Sequence, residues 1–81
     1  MKVQEYLEKL IQHLGVDDEF EIVLEESDER LKINITVPQN EAALLIGNRG
    51  ETLEAIELLT KLSFKNDFPN KKIMLDINEY R

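Results

Sequence analysis

A helical pattern of apolar residues runs over 41–65 and is interrupted once, by Gly47-Asn48-Arg49-Gly50. Two of the chain's three glycines lie in this interruption. Glycine permits backbone angles that end one helix and allow another to begin within a few residues. The pattern therefore predicts a short helix over 41–46, a tight connection, and a longer helix from 51 to about 65.

Three stretches with strict alternation of apolar and polar residues predict strands. The clearest covers 31–37 and ends at Pro38, because proline has no N–H to donate to a sheet. A second stretch over 20–25 lies close before it, so the two should pair as an antiparallel hairpin. The third covers 73–77. An amphipathic helix is predicted over 2–14, followed by a turn at Asp17-Asp18-Glu19.

The predicted order is thus α-β-β-α-α-β, an α+β fold. The connection from the second strand to the third passes through two helices, which is long enough for parallel pairing. We expect a three-stranded mixed sheet with its second strand central and all helices on one face. Glu57 and Lys61 on the longest helix are spaced for an ion pair one turn apart. They belong to a predicted polar stripe of this helix: Glu54, Glu57, Lys61 and Lys65. Six apolar residues are predicted to supply its buried side: Leu53, Ala55, Ile56, Leu58, Leu59 and Leu62.

Composition excludes several classes of function. The 81 residues suffice for one domain, and no apolar run approaches the length needed to cross a bilayer. There is no cysteine, and His13 is the only histidine, with no spaced carboxylates beside it. We therefore expect a soluble, cytoplasmic protein with no metal, cofactor, small-molecule substrate or catalytic residues.

The net charge of −7 argues against a polyanionic partner, because affinity for nucleic acid depends on neutralising phosphates. The acidic residues are concentrated in the first half of the chain, however. Residues 1–37 carry four basic and ten acidic groups, whereas residues 38–72, which include the interruption, carry five of each. The charge therefore leaves a local nucleic-acid site possible.

The interruption has two interpretations. It can be a simple connection between helices, in which glycine supplies only permissive backbone angles. Alternatively it can bind an anion, since it leads into a helix N-terminus with unpaired N–H groups, and Arg49 adds a charge with fork geometry. Glycines would let a phosphate backbone approach closely.

Ile46-Gly47-Asn48-Arg49-Gly50 resembles the I-G-x-x-G signature of KH domains, and the element order resembles their type II form. LLIGNRGETLEAIELLTKL, the ending LDINEYR and the opening VQEYLEKLIQHLG are together similar to the KH domain of the SpoIIIJ-associated (Jag/KhpB) proteins. The resemblance implies that residues 1–81 form a single KH domain, and that the family's N-terminal Jag region and C-terminal nucleic-acid-binding domain are absent from the chain.

The resemblance also implies roles for particular residues. A backbone clamp for a short single-stranded RNA segment would consist of Gly47, Asn48, Arg49 and Gly50. Ile46 and Leu53 would form the floor of the groove, and Lys71 and Lys72 its far wall. Asn48 stands where the family often has a basic residue, and Glu51 places a negative charge beside the clamp.

Two functions follow from these observations. The first is a single-stranded RNA-binding module that grips about four nucleotides, with a second KH protein (KhpA-like) or the family's C-terminal domain as a further partner. The second is a protein–protein interaction module that keeps the KH fold with weak or lost nucleic-acid binding. The net charge and Asn48 motivate the second.

Overall fold

The computed structural model describes residues 2–16 and 19–80. Within them the chain forms, in order, α1 (Lys2–His13), β1 (Glu21–Glu26), β2 (Arg30–Thr36), α2 (Gln39–Ile46), a 3-10 turn (Asn48–Gly50), α3 (Glu51–Phe64) and β3 (Lys72–Ile77). The predicted order α-β-β-α-α-β is confirmed. Asp17 and Asp18 of the predicted turn lie outside the described residues. In the part of the chain that is described, no helix has both the length and the apolar character needed to span a membrane.

β2 is the central strand of a mixed sheet, as predicted. β1 runs antiparallel to it, with Ile22 opposite Ile35, and β3 runs parallel to it, with Leu75 opposite Ile33. Between β1 and β2 the chain turns tightly, and the N–H of Ser27 donates to the carbonyl of Arg30 at 2.8 Å. The parallel pairing is possible because α2 and α3 carry the chain back across the sheet.

The helices cover one face of this sheet, which confirms the prediction. Alternate strand residues are fully buried, as at Ile33 and Leu75. Their neighbours in sequence lie on the opposite face, where Val23 and Lys32 are exposed. Since side chains alternate along a strand, this pattern places the core between the sheet and the helices and leaves the second face open.

The predicted buried side of α3 was wrong in part. Four of its six residues are exposed: Ala55, Leu58, Leu59 and Leu62. Leu58 and Leu62 are 55% and 59% exposed, so they lie on the outer face of the helix. A helix packed against one sheet buries a single stripe, and α3 carries more apolar residues than that stripe can hold.

Thr60 and Phe64 also lie on the buried stripe of α3, although neither was among the six residues predicted to be buried. The Thr60 hydroxyl donates to the carbonyl of Ile56 at 2.8 Å, so its polar atom has a partner inside the core. Phe64 packs edge-on against Tyr6 of α1, with ring centroids 5.3 Å apart. Spacing along the helix, rather than hydrophobicity alone, thus determines which side chains reach the core.

Glu57 of the predicted polar stripe also connects α3 to the free edge of β3. One carboxylate oxygen lies 3.5 Å from the ammonium of Lys61, the predicted ion pair one turn along the helix. The other accepts a hydrogen bond of 2.9 Å from the backbone N–H of Leu75. β3 is an edge strand, so no neighbouring strand offers an acceptor to this N–H group, and the Glu57 carboxylate takes that role.

We expect Glu57→Ala to lower the free energy of unfolding by about 1–2 kcal/mol, because it leaves the part-buried N–H of Leu75 without its acceptor. Glu57→Gln should retain most of the stability, since its amide oxygen can still accept. Urea denaturation measures the difference. The control is Glu54→Ala, which removes an exposed carboxylate one turn earlier. An equal loss in the Glu54 and Glu57 variants would show that the hydrogen bond contributes nothing.

Candidate nucleic-acid interface

The glycine loop (Gly47-Asn48-Arg49-Gly50) connects α2 to α3 with an unusual set of backbone angles. Gly47 has φ 74° and ψ −173°, and Gly50 has φ 80° and ψ 14°. Arg49 also has a positive φ of 55°, which costs a residue with a side chain about 1–2 kcal/mol. The glycines thus adopt their conformations cheaply, whereas Arg49 is held in a strained one at an exposed position.

Gly47 lies directly against the first turn of α3. A β-carbon placed on it would be 2.3 Å from the hydroxyl oxygen of Thr52 and 2.9 Å from the Thr52 backbone nitrogen. Its own N–H donates to the carbonyl of Ala43 at 2.9 Å and closes α2. Only a residue without a side chain allows the end of α2 and the start of α3 to approach this closely.

The ring of Tyr80 lies against Gly50, on the side where a β-carbon would project. That β-carbon would be 3.2 Å from a ring carbon of Tyr80. Gly50 is buried, while the tyrosine is half exposed. Tyr80 had no predicted role, although it lies in the Y-R ending that carries part of the family resemblance. The aromatic ring supports the loop from behind.

Asn78 directs the chain from β3 towards the loop. Its side-chain amide pairs with Val37 through both backbone groups: the oxygen accepts from the N–H at 2.9 Å, and the nitrogen donates to the carbonyl at 3.0 Å. Asn78 and Glu79 both have positive φ, which turns the chain sharply after β3. No pattern in the sequence indicated this contact, because it joins residues 41 positions apart.

The outer surface of the loop is polar and suited to an anion. Asn48 and Arg49 are exposed, and Arg49 forms no ion pair with any residue that the structure describes. Gly50 precedes α3 and provides no side-chain cap, so the first N–H groups of the helix lack that partner. Glu51 and Glu54 lie in the first turn and oppose an anion bound there.

The two apolar residues predicted to form the groove floor differ in accessibility. Ile46 is half buried and packs against the core, whereas Leu53 is fully buried within it. Leu53 therefore shapes the surface from below. The structure brings both residues next to the glycine loop, one on each side of it in sequence.

Lys71 and Lys72 lie at the other end of α3 from the loop. The helix has 14 residues, which corresponds to a length of about 21 Å. The ammonium of Lys71 contacts Glu26 of β1, and the N–H of Lys72 donates to the carbonyl of Glu29 at 2.8 Å. These lysines are therefore separated from the glycine loop by the full length of α3.

A family model described as "KhpA/KhpB, KH domain" matches residues 4–77. This range includes all the helices and strands except the first two residues of α1. The chain belongs to this family. It is also 40% identical over 63 residues to a protein of Bacillus subtilis named "RNA-binding protein KhpB". That alignment covers 75% of this chain but only 29% of the relative, so the chain spans less than a third of its length. The resemblance inferred from the sequence motifs is confirmed.

The two loop glycines should differ in their tolerance of a side chain. We expect Gly47→Ala to lower the free energy of unfolding by about 3 kcal/mol, because its backbone angles are almost exclusive to glycine and Thr52 blocks the added methyl. Gly50→Ala should cost about 1–2 kcal/mol, the usual cost of a left-handed residue, plus a close contact with Tyr80.

Gly15→Ala is the matched control for these two substitutions, and urea denaturation measures all three. Gly15 also has a positive φ, of 100°, but a β-carbon there would meet nothing closer than 4.0 Å. Its substitution isolates the conformational cost. An effect of Gly47→Ala no larger than that of Gly15→Ala would contradict the close contact with Thr52.

Proposed function

We propose that this chain binds single-stranded RNA and grips a segment of about four nucleotides beside the glycine loop. The observation that carries the proposal is the loop itself, in which two positive-φ glycines and an exposed arginine stand between two helices. Membership of a KH family and the name of the Bacillus subtilis relative point in the same direction. The proposal also makes the protein a cytoplasmic binding module and not an enzyme.

In this proposal the sugar-phosphate backbone lies across the glycine loop. Gly47 lets a phosphate approach the main chain, while Gly50, buried against Tyr80, holds the turn into α3. Asn48 and Arg49 donate hydrogen bonds to the phosphates. The bases would then lie over the surface that Ile46 forms and Leu53 supports from the core. Lys71 and Lys72 would contact the strand farther along, beyond the segment held by the loop.

The charge distribution limits the affinity. Asn48 contributes no positive charge, and Glu51 repels a phosphate at the helix N-terminus. For single strands each neutralised phosphate adds about 0.7 to the slope of log affinity against log salt. A site with one arginine should therefore bind weakly and with a shallow salt dependence.

The test is fluorescence anisotropy with labelled single-stranded RNA, comparing the wild type with the double variant Asn48→Asp/Arg49→Asp. We expect salt-sensitive binding by the wild type and a loss of at least about tenfold in the variant. Loss of one charge-assisted hydrogen bond of about 1.5–3 kcal/mol suffices for this effect, and the added carboxylates repel phosphate as well.

Lys9→Asp/Gln12→Asp on α1 provides a control with an identical change in net charge. Both residues are exposed and lie on a helix that does not include the loop. The affinity of this control variant for RNA should fall much less than that of the loop variant. The proposal fails if the wild type shows no salt-sensitive binding, or if the two double variants bind RNA equally well.

A second candidate function, protein–protein interaction, is favoured by an apolar surface on α3. The outer leucine surface consists of Leu58, Leu59 and Leu62, which are exposed by 55%, 46% and 59%. Exposed apolar patches of this kind often bind another protein. The proposed partner is a second KH protein (KhpA-like) or the family's C-terminal nucleic-acid-binding domain.

Leu58→Gln/Leu62→Gln tests this second function by sedimentation velocity, alone and mixed with a purified small KH protein. We expect any association of the wild type to be lost, because burial of a leucine contributes about 1.5–3 kcal/mol. Leu14→Gln/Leu44→Gln makes the same chemical change at exposed leucines elsewhere in the chain and should leave association intact. If the α3 variant still associates normally, the outer leucine surface is not the interface.

A further inference from the structure

A shallow cleft of about 320 Å³ lies at the C-terminal end of α3, and four lysines line it. They are Lys61, Lys65, Lys71 and Lys72, which are four of the ten basic residues in a chain of net charge −7. Phe68 and Pro69 form an apolar part of the same lining. We call this the lysine cleft. Four other clefts among the described residues are each lined by at most one basic residue.

The fold brings these lysines together from two elements. Lys61 and Lys65 are one turn apart near the end of α3, while Lys71 and Lys72 lie where β3 begins. The connection between them is held by backbone hydrogen bonds, including one from the N–H of Lys71 to the carbonyl of Phe68 at 3.2 Å. Phe68 also packs against the core. The cleft is therefore part of the folded domain and not a chance cluster on a free loop.

The cleft keeps a positive charge after its ion pairs are counted. Lys61 lies 3.5 Å from Glu57, and Lys71 contacts the exposed Glu26. Lys65 and Lys72 form no ion pair with any described residue. Four ammonium groups thus face two carboxylates. Exposed ion pairs such as that of Lys71 contribute little to stability, so an RNA phosphate can replace the carboxylate.

The cleft and the glycine loop lie at the two ends of one helix. Lys61 is 11 residues beyond Gly50 and Lys65 is 15 beyond it, which corresponds to about 16 and 22 Å along α3. At the spacing of a strand in duplex geometry, about 3.4 Å per nucleotide, 22 Å corresponds to about six nucleotides. A strand held at the loop would reach the cleft only if it extended beyond the four-nucleotide segment.

We propose that the lysine cleft is a second subsite for the same single-stranded RNA, and that the strand leaving the glycine loop along α3 places its phosphates against Lys65 and Lys72. Phe68 and Pro69 offer an apolar surface to a base, which a subsite for a simple inorganic anion would not need. This inference rests on the proposed function, because it requires RNA at the loop. It extends the footprint from about four nucleotides to between about six and ten.

The test compares fluorescein-labelled single-stranded RNAs of four and twelve nucleotides. In Lys65→Gln/Lys72→Gln, the affinity for the twelve-nucleotide RNA should fall at least about fivefold. Its salt slope should fall by about 1.4, because two phosphates are no longer neutralised and each accounts for about 0.7. Binding of the four-nucleotide RNA should be unchanged. Lys9→Gln/Lys32→Gln removes two exposed lysines elsewhere and is the matched control.

The possible outcomes separate the two proposals. If the wild type binds neither RNA, the proposed function itself fails. If the wild type binds through the loop but the cleft variant matches the control on the long RNA, the second subsite is refuted. An equal loss on both lengths would also overturn it, since the lysines would then belong to the loop site. Displacement of the long RNA by an equally charged oligoglutamate peptide at equal concentration would show a general anion site instead.

Discussion

The close contact between Gly47 and Thr52 is the constraint on which the geometry of the site depends. It lets the last turn of α2 meet the first turn of α3, which no side chain at position 47 would permit. Once the two helices meet in this way, the loop between them exposes Asn48 and Arg49 and buries Gly50 against Tyr80. The angle of α3 then determines which of its residues reach the sheet and which face solvent.

Secondary structure and topology could be predicted because their signals are local. Alternation in the three strands follows from a sheet with one covered face, and Pro38 marks the end of β2 without reference to anything distant. The loop could be predicted for the same reason, since two glycines and a change of helical phase occur within four residues. Each of these signals depends only on neighbouring residues and not on how the rest of the chain folds.

The errors and omissions arose where distant residues decide the outcome. Leu58 and Leu62 are as apolar as Leu53, and only the position of the sheet selects one helical stripe over another. Tyr80 supports the loop because Asn78 pairs with Val37 across 41 positions. The resemblance assigns Lys71 and Lys72 to the groove wall, which stays a prediction, and only the length and direction of α3 show that they lie at the far end of this helix from the loop. No local pattern contains such information.

The two candidate functions use neighbouring parts of α3. At 100° per residue, Leu58 and Leu62 lie opposite the buried stripe, whereas Lys61 lies on one flank with Glu54 and Glu57. Lys65 lies only about 20° from Leu58, so a protein partner on the leucines would leave the glycine loop open to RNA but would border the lysine cleft. A pair of KH domains joined in this way would hold two glycine loops on one assembly. Because linked weak sites gain affinity through effective concentration, an acidic domain with a single loop arginine could then bind RNA usefully without more basic residues.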